Sequence, residues 1–385
     1  MTGLAATAAG LYLHVPFCSA VCPYCDFAVQ TGRAEERSAF VRALKTEVQL
    51  WSDWDIQFDT IYLGGGTPSM LEPEQLADII DTVRSALPIA DAARLFMEAN
   101  PEDVTVSRAT AWHELDVATV SLGVQSFVDK ELKQLGRRHT ARQAQDAVEI
   151  CLAAGFETVS ADLIFGLPDQ TPERLKESLD VVKLLRPQHV SGYQLTIHDG
   201  TTFGRWQKKG KLTELPDEGQ WSLFELLHSE LGSSGWQAYE VSNFSTSPRH
   251  RSAHNLKYWN HAPYLGLGPS AHSFDGRSRW WNVRGERHYE QLLLTGKRPI
   301  DASEQLGTYE LALETVMLGL RTMAGIDLDS FHARFGFHLA QHNQALLDDL
   351  ASRGLLLVRE NTISPTLAGL AIADGLSARF ELPND

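Results

Sequence analysis

Between residues 11 and 200, apolar positions follow two alternating rhythms. Short apolar runs of strand length are separated by longer stretches in which apolar residues recur every three or four positions, the signature of βα units and a parallel sheet. Six strands are expected, at Leu11–Val15, Thr60–Leu63, Arg94–Ala99, Val117–Val124, Thr158–Phe165 and His189–Thr196. Helices are expected near Glu35–Leu50, Glu74–Leu87, Val104–His113, Ala141–Ala154 and Pro172–Leu185. Thr171 and Pro172 make a good helix start, since proline suits the first turn and threonine caps it.

The alternation stops near residue 200. Residues 201–300 mix Gly, Pro, Trp and His without a clear period, apart from a helix expected over Glu218–Leu231. From residue 301 a helical segment at Glu304–Thr322 leads to two shorter helical patterns and a β-hairpin from Leu355 to Ser364. Three parts follow: a (βα) core over 1–200, an irregular extension over 201–300, and a smaller, mostly helical, winged-helix-like domain over 301–385. DNA reading by that last part is unexpected, because it holds 12 acidic and 5 basic side chains, a net of −7.

The chain as a whole carries 49 acidic and 34 basic residues, a formal charge of −15, which opposes attraction to phosphate backbones. Nucleic acid is therefore not an expected partner. No run approaches the roughly 20 apolar residues of a membrane span, which leaves only peripheral membrane contact open. The opening MTGLAATAAG lacks Lys, Arg and an unbroken apolar core, so no signal peptide is expected. Three of the four cysteines are crowded together, unlike a secreted disulfide framework, and a cytoplasmic location is expected.

In parallel α/β architectures chemistry gathers at the C-terminal ends of strands. The unusual residues of this chain lie there. Cys18, Cys22 and Cys25 follow the first strand as C-x3-C-x2-C; Gly64-Gly65-Gly66-Thr67-Pro68 follows the second; Glu98 closes the third; Gln125 follows the fourth; and Gly166-Leu167-Pro168 follows the fifth. Three thiolates could bind zinc, but structural zinc takes four protein ligands. His14 and Cys151 are the candidates for a fourth, and Cys151, within AVEICLAAG, reads better as a small packed hydrophobe. Three ligands without a fourth suit an iron–sulfur cube with one open iron. The glycine run removes side chains where backbone N–H groups must approach a ligand, though alone it reads equally as a strand-to-helix turn. Glu98, Gln125, Arg137 and Asp162 together supply acceptors for hydroxyls and an ammonium plus a donor for a carboxylate, while each alone is an ordinary turn or surface residue.

The C-x3-C-x2-C array, with Tyr24 before its last cysteine, resembles that of radical S-adenosylmethionine proteins. The resemblance continues through GGGTP, EANP, GVQSF, LGRRH and DLIFGLP. It implies an open partial (βα)6 barrel, a [4Fe–4S] cluster on Cys18, Cys22 and Cys25, and S-adenosylmethionine chelating the open iron. It further assigns Gly65, Gly66, Thr67, Glu98, Gln125, Arg137 and Asp162 to that cofactor, with Tyr12 and Tyr24 beside the cluster. Arg138 is the neighbour most easily confused with Arg137.

Within that superfamily the chain resembles oxygen-independent coproporphyrinogen III oxidase and, more nearly, the HemW-type heme chaperones. The oxidase has a further cysteine where this chain has Phe27, and a longer N-terminal arm than the ten residues that precede the first strand here. His254-Asn255-Leu256-Lys257-Tyr258-Trp259 matches the HNxxYW segment of the heme-binding members. The resemblance implies that heme binds near His254 and passes to an acceptor protein, with His250, His261 and His272 as unranked second ligands. Oxidase activity is not expected. The acceptor, cleavage of the cofactor, and the choice between monomer and homodimer stay open.

Overall fold

A computed structural model describes residues 8–383. The strands are β1 (Ala9–Val15), β2 (Phe58–Gly65), β3 (Ile89–Ala99), β4 (Val117–Gln125), β5 (Thr158–Phe165), β6 (His189–Gln194), β7 (Gln237–Ala238), β8 (Asn243–Ser245), β9 (Tyr264–Leu267), β10 (His272–Phe274), β11 (Ser278–Asn282) and β12 (Ile300–Gln305). The helices over the same stretch are α1 (Ala34–Leu50), α2 (Pro73–Ala86), α3 (Val106–Glu114), α4 (Asp129–Gln134), α5 (Ala141–Ala154), α6 (Pro172–Leu185), α7 (Thr202–Lys208), α8 (Asp217–Ser233), α9 (Ala253–Trp259) and α10 (Glu286–Leu294). Strands β1 to β6 lie in sequence order and run parallel. The sheet does not close on itself: β8 pairs antiparallel with β6 at one edge, and β9 pairs parallel with β1 at the other. This is the expected open (βα)6 barrel.

Strand alternation sorts the side chains into two environments. In β1, Leu11, Leu13 and Val15 turn outward into the main core beneath the helices, while Tyr12 and His14 turn inward. Burying each of those aliphatic side chains stabilises by about 1.5–3 kcal/mol. α5 opens with a capping box, the Thr140 hydroxyl accepting from the Gln143 backbone N–H, and ends on Gly155 in the left-handed conformation.

The segment from β7 to α9 closes the N-terminal end of the barrel. Thr60 of β2 bonds His254 at 3.0 Å, and Thr158 of β5 bonds His250 at 2.8 Å.

Two expectations need correcting. Residues 201–300 are not irregular: β7 and β8 extend the sheet past β6, and β9 to β12 extend it past β1. Their strands are two to six residues long, too short to display a period, and they are held by pairing with distant strands. The helix expected over Glu304–Thr322 begins only at Thr308, since Ile300–Gln305 forms an exposed edge strand antiparallel to β11. The chain then forms α11 (Thr308–Gly319) and a module with its own core around Val316, Phe331, Leu350 and Ile363. Helices dominate that module, with a three-stranded antiparallel sheet that includes the hairpin of Leu356–Arg359 and Thr362–Pro365.

A buried carboxylate ties the added strands to the barrel. Glu47 of α1, fully buried, accepts hydrogen bonds from Tyr289 Oη (2.6 Å), Asn282 Nδ2 (2.6 Å) and the Gly268 backbone N–H (2.7 Å). Burial pushes its carboxyl up to about 7 against those three bonds. Glu47→Ala is expected to destabilise the protein by about 3 kcal/mol, because three buried donors lose their acceptor. The folded-state value lies above the unfolded 4.5, so this group's contribution is full below pH 4.5 and is lost as pH rises through 7. Urea midpoints measured from pH 5 to 8 are expected to fall in the wild type relative to Glu47→Gln; parallel curves would contradict this.

Candidate functional site

The C-terminal mouth of the barrel holds a pocket of about 400 Å³. Its first wall is the loop after β1. Backbone bonds fix that loop at several points: Cys18 N to Gln30 O (2.9 Å), Thr67 N to Phe17 O (2.7 Å), Gly66 N to Val15 O (2.8 Å) and Phe203 N to Pro23 O (2.8 Å). Tyr24 packs against the small apolar cluster of Leu135, Ile164, Leu167, Leu195 and Phe203, which seats the far end of the loop. The three thiols are free, and Thr67 Oγ1 donates to Cys18 Sγ at 3.4 Å. Burial pushes the Cys18 thiol up to about 11 and also raises Cys25. Thiolates here therefore require positive charge, which Arg137 supplies only in part and a metal would supply fully.

The second wall is the glycine turn after β2. Gly65 has φ +100°, a region glycine occupies without strain. A Cβ on Gly66 would lie 2.6 Å from Val15 O and 2.7 Å from Phe17 O, so only glycine lets the turn meet the cysteine loop. Tyr62 Oη donates to Glu98 Oε1 (2.9 Å) and the Gly65 N–H to Oε2 (3.1 Å). Burial nonetheless pushes Glu98 up to about 7, with Asp162 adding to the rise. Asp162 is also raised by burial, although the Ser121 hydroxyl donates to it at 2.9 Å and the Ser160 hydroxyl at 3.1 Å.

Arg137 crosses the pocket. Its Nη2 donates to Asn100 Oδ1 (2.6 Å) and Gly123 O (2.9 Å), and Nη1 reaches Cys22 Sγ at 3.5 Å. Its Nε is buried with no partner, an unused donor beside the thiols. Gln125 ends β4 at φ +68°, an uncommon conformation for a side chain of its size, and faces the same space. Arg138 is exposed, so Arg137 is the arginine of the site.

Of the residues expected at the site, Cys18, Cys22, Cys25, Tyr24, Gly65, Gly66, Thr67, Glu98, Gln125, Arg137 and Asp162 line this pocket. Tyr12 lies one layer deeper, its hydroxyl 3.2 Å from His14 Nδ1 and its ring stacked on Tyr62. His14, a candidate fourth thiolate partner, has both nitrogens engaged, the second donating to Ala28 O at 2.9 Å, and so braces the loop from below. Cys151 is fully buried on α5, as its apolar surroundings indicate.

His254 is not brought to the pocket. It is 1% exposed beneath the barrel, with Nδ1 on Thr60 and Nε2 on Tyr258 Oη at 2.9 Å. Burial holds its imidazole neutral, near 3. In this conformation neither nitrogen is available to iron.

Sequence reasoning missed Asn100, Tyr62, Ser121 and Tyr193, which also line the pocket. Asn100 was within reach, since it directly follows β3. The other three are inward positions of β2, β4 and β6, legible only once the inward face of each strand is known.

A parallel barrel left open, with three thiols after β1 and a glycine turn after β2, defines a radical S-adenosylmethionine protein, and the Radical SAM superfamily profile matches residues 12–182. A second profile, the HemN C-terminal domain, matches residues 309–372. The chain is 32% identical to heme chaperone HemW of Bacillus subtilis, covering 96% of this chain and 98% of that one. It is 35% identical to heme chaperone HemW of Mycobacterium tuberculosis, covering 95% and 93%. Among solved structures, coproporphyrinogen III oxidase from Escherichia coli superposes with a TM-score of 0.82 over 97% of this chain and 90% of that one, at 20% identity, a likeness of fold. The chain belongs to the HemW family of the radical SAM superfamily.

Gly66→Ala tests the construction of the site. Moving two backbone oxygens is expected to lower stability by about 2 kcal/mol and to reduce the iron retained after anaerobic reconstitution. Full iron content at unchanged stability would show that the two loops do not depend on this approach.

Proposed function

We propose that this protein is a heme chaperone: it binds heme, passes it to an acceptor protein, and carries a [4Fe–4S] cluster with S-adenosylmethionine in the barrel pocket. The observation that carries the reading is identity of 32% and 35% to proteins named heme chaperones over nearly the whole of both chains. The pocket residues fit the cofactor assignment. Cys18, Cys22 and Cys25 would hold the cluster, Gly65, Gly66 and Thr67 would present backbone to the methionine moiety, and Glu98 would accept from its amino group. Arg137, with a buried unpaired Nε beside the thiols, is suited to a carboxylate. Gln125 and Asp162 would take ribose hydroxyls. Such a cluster, when bound, supplies electrons for cleaving the sulfonium.

The rival reading is oxidation of coproporphyrinogen III, favoured by the shared fold. Against it stands Phe27, 64% exposed at the rim of the pocket, where the oxidase carries another cysteine. We place the protein in the cytoplasm; no described helix is long and apolar enough to cross a membrane.

Anaerobic reconstitution is expected to give about four iron and four sulfide per chain. With S-adenosylmethionine and a reductant, the loaded protein is expected to leave coproporphyrinogen III unchanged. Its decarboxylation, or about one zinc in place of iron and sulfide, would overturn the reading. A second prediction concerns Glu98, whose carboxyl burial pushes up to about 7 and which accepts more strongly from the cofactor's amino group when charged. S-adenosylmethionine is expected to bind more tightly as pH rises from 6 to 8, and Glu98→Gln to bind about tenfold more weakly at pH 8 with no such slope. Calorimetric titration of the cluster-loaded protein reads both.

A further inference from the structure

The strands that extend the sheet beyond β1 face α11 across a second cleft, of about 480 Å³, which shares no lining residue with the barrel pocket. Tyr258, Tyr264, Phe274 and Trp281 form one side, and Met317 and Leu318 of α11 the other. α11 is apolar on two faces. Ala312, Val316 and Leu320 are buried in the core of the C-terminal module, whereas Met317 and Leu318 stay half-buried against the cleft. A helix apolar on two faces requires two partners, and the cleft stands where the second belongs.

The polar groups narrow what could fill it. Arg279 is held by Glu314 through two bonds of 2.9 and 2.7 Å and reaches Glu304 at 3.2 Å, so its guanidinium is already occupied. The cleft therefore does not select for a carboxylate. It offers flat aromatic surface and two imidazoles. His261 lies flat on Phe274, centroids 4.7 Å apart, is 8% exposed, and has Glu314 Oε2 3.0 Å from Nε2. His272 is two residues from Phe274 on the same face of β10, exposed, and stacked on Trp281 at 5.6 Å. Desolvation and then the nearby Arg279 charge keep the His272 imidazole neutral, with a lone pair for a metal.

We propose that this cleft is the heme site, where a ring nitrogen of His272 would ligate the iron and Tyr258 and Trp281 would border the porphyrin. The inference rests on the heme-chaperone reading and adds the place and the ligand. With Arg279 occupied, the propionates project to solvent. It also accounts for the HNLKYW segment without direct coordination by His254. Tyr258 of that segment lines the cleft and bonds His254 through its hydroxyl at 2.9 Å, so His254 is a positioning residue that fixes the tyrosine ring.

The test is a heme titration of the full-length, cluster-loaded protein under anaerobic conditions, followed at the Soret band. His272→Ala is expected to bind heme about tenfold or more weakly with a shifted band, and free imidazole to restore the wild-type band by refilling the coordination position. Cluster absorbance reports that the variant is folded. His288→Gln, at an exposed position of α10 outside the cleft, is expected to keep its heme. Failure of the wild-type protein to bind heme at all would overturn the chaperone reading itself. Heme bound normally by the wild type and by His272→Ala, loss that imidazole does not restore, or equal loss in His288→Gln would each overturn this site alone.

Discussion

The approach of Gly66 to the backbone of residues 15–17 is the constraint on which the site depends. Two N–H groups of the turn after β2 bond Val15 O and Phe17 O, and no side chain fits between them. That contact locks the cysteine loop to the second strand before any ligand arrives. It sets Thr67 beside Cys18 and holds the Gly65 N–H against Glu98. Preorganisation of this kind spares binding the ordering of two loops. The same crowding desolvates Glu98, Asp162, Cys18 and Cys25, and burial is what raises their pKa values.

The barrel opening and the barrel floor have different chemistry. At the C-terminal ends of the strands lie thiols, carboxylates and an arginine with an unpaired donor. At the N-terminal ends, Thr60, Thr158 and Tyr239 satisfy His254, His250 and His189 with hydrogen bonds. Both ends are polar, but the upper one keeps by far the larger open volume, about 400 Å³ against about 20 Å³. A buried histidine with both nitrogens bonded is a structural element, and this makes His254 a support for Tyr258 rather than a ligand in the conformation seen here.

Much of this was legible in the sequence. The six strands were readable because runs such as Thr158–Phe165 are long enough to show a period; the strand-end rule then collected the pocket from the cysteines to Gln125, while Arg137 and Asp162 came from the family resemblance. Three things were not legible, for physical reasons. Strands β7 to β12 are short and exist by pairing with distant partners, so no local rhythm marks them. Tyr12 sits one strand position below the pocket, and adjacency to the cysteine loop in sequence does not reveal depth. The segment around His254 advertised a histidine, whereas whether its nitrogens were free depended on Thr60, nearly two hundred residues away.

The central claim is that this chain handles heme and does not oxidise a porphyrinogen. It is tested most directly by native mass spectrometry of the anaerobic, cluster-loaded protein incubated with heme, coproporphyrinogen III, S-adenosylmethionine and reductant together. The account predicts a protein–heme complex and coproporphyrinogen III recovered at its original mass. Protein free of heme, with coproporphyrinogen III lighter by two carboxyl groups as carbon dioxide and their accompanying hydrogens, would contradict it.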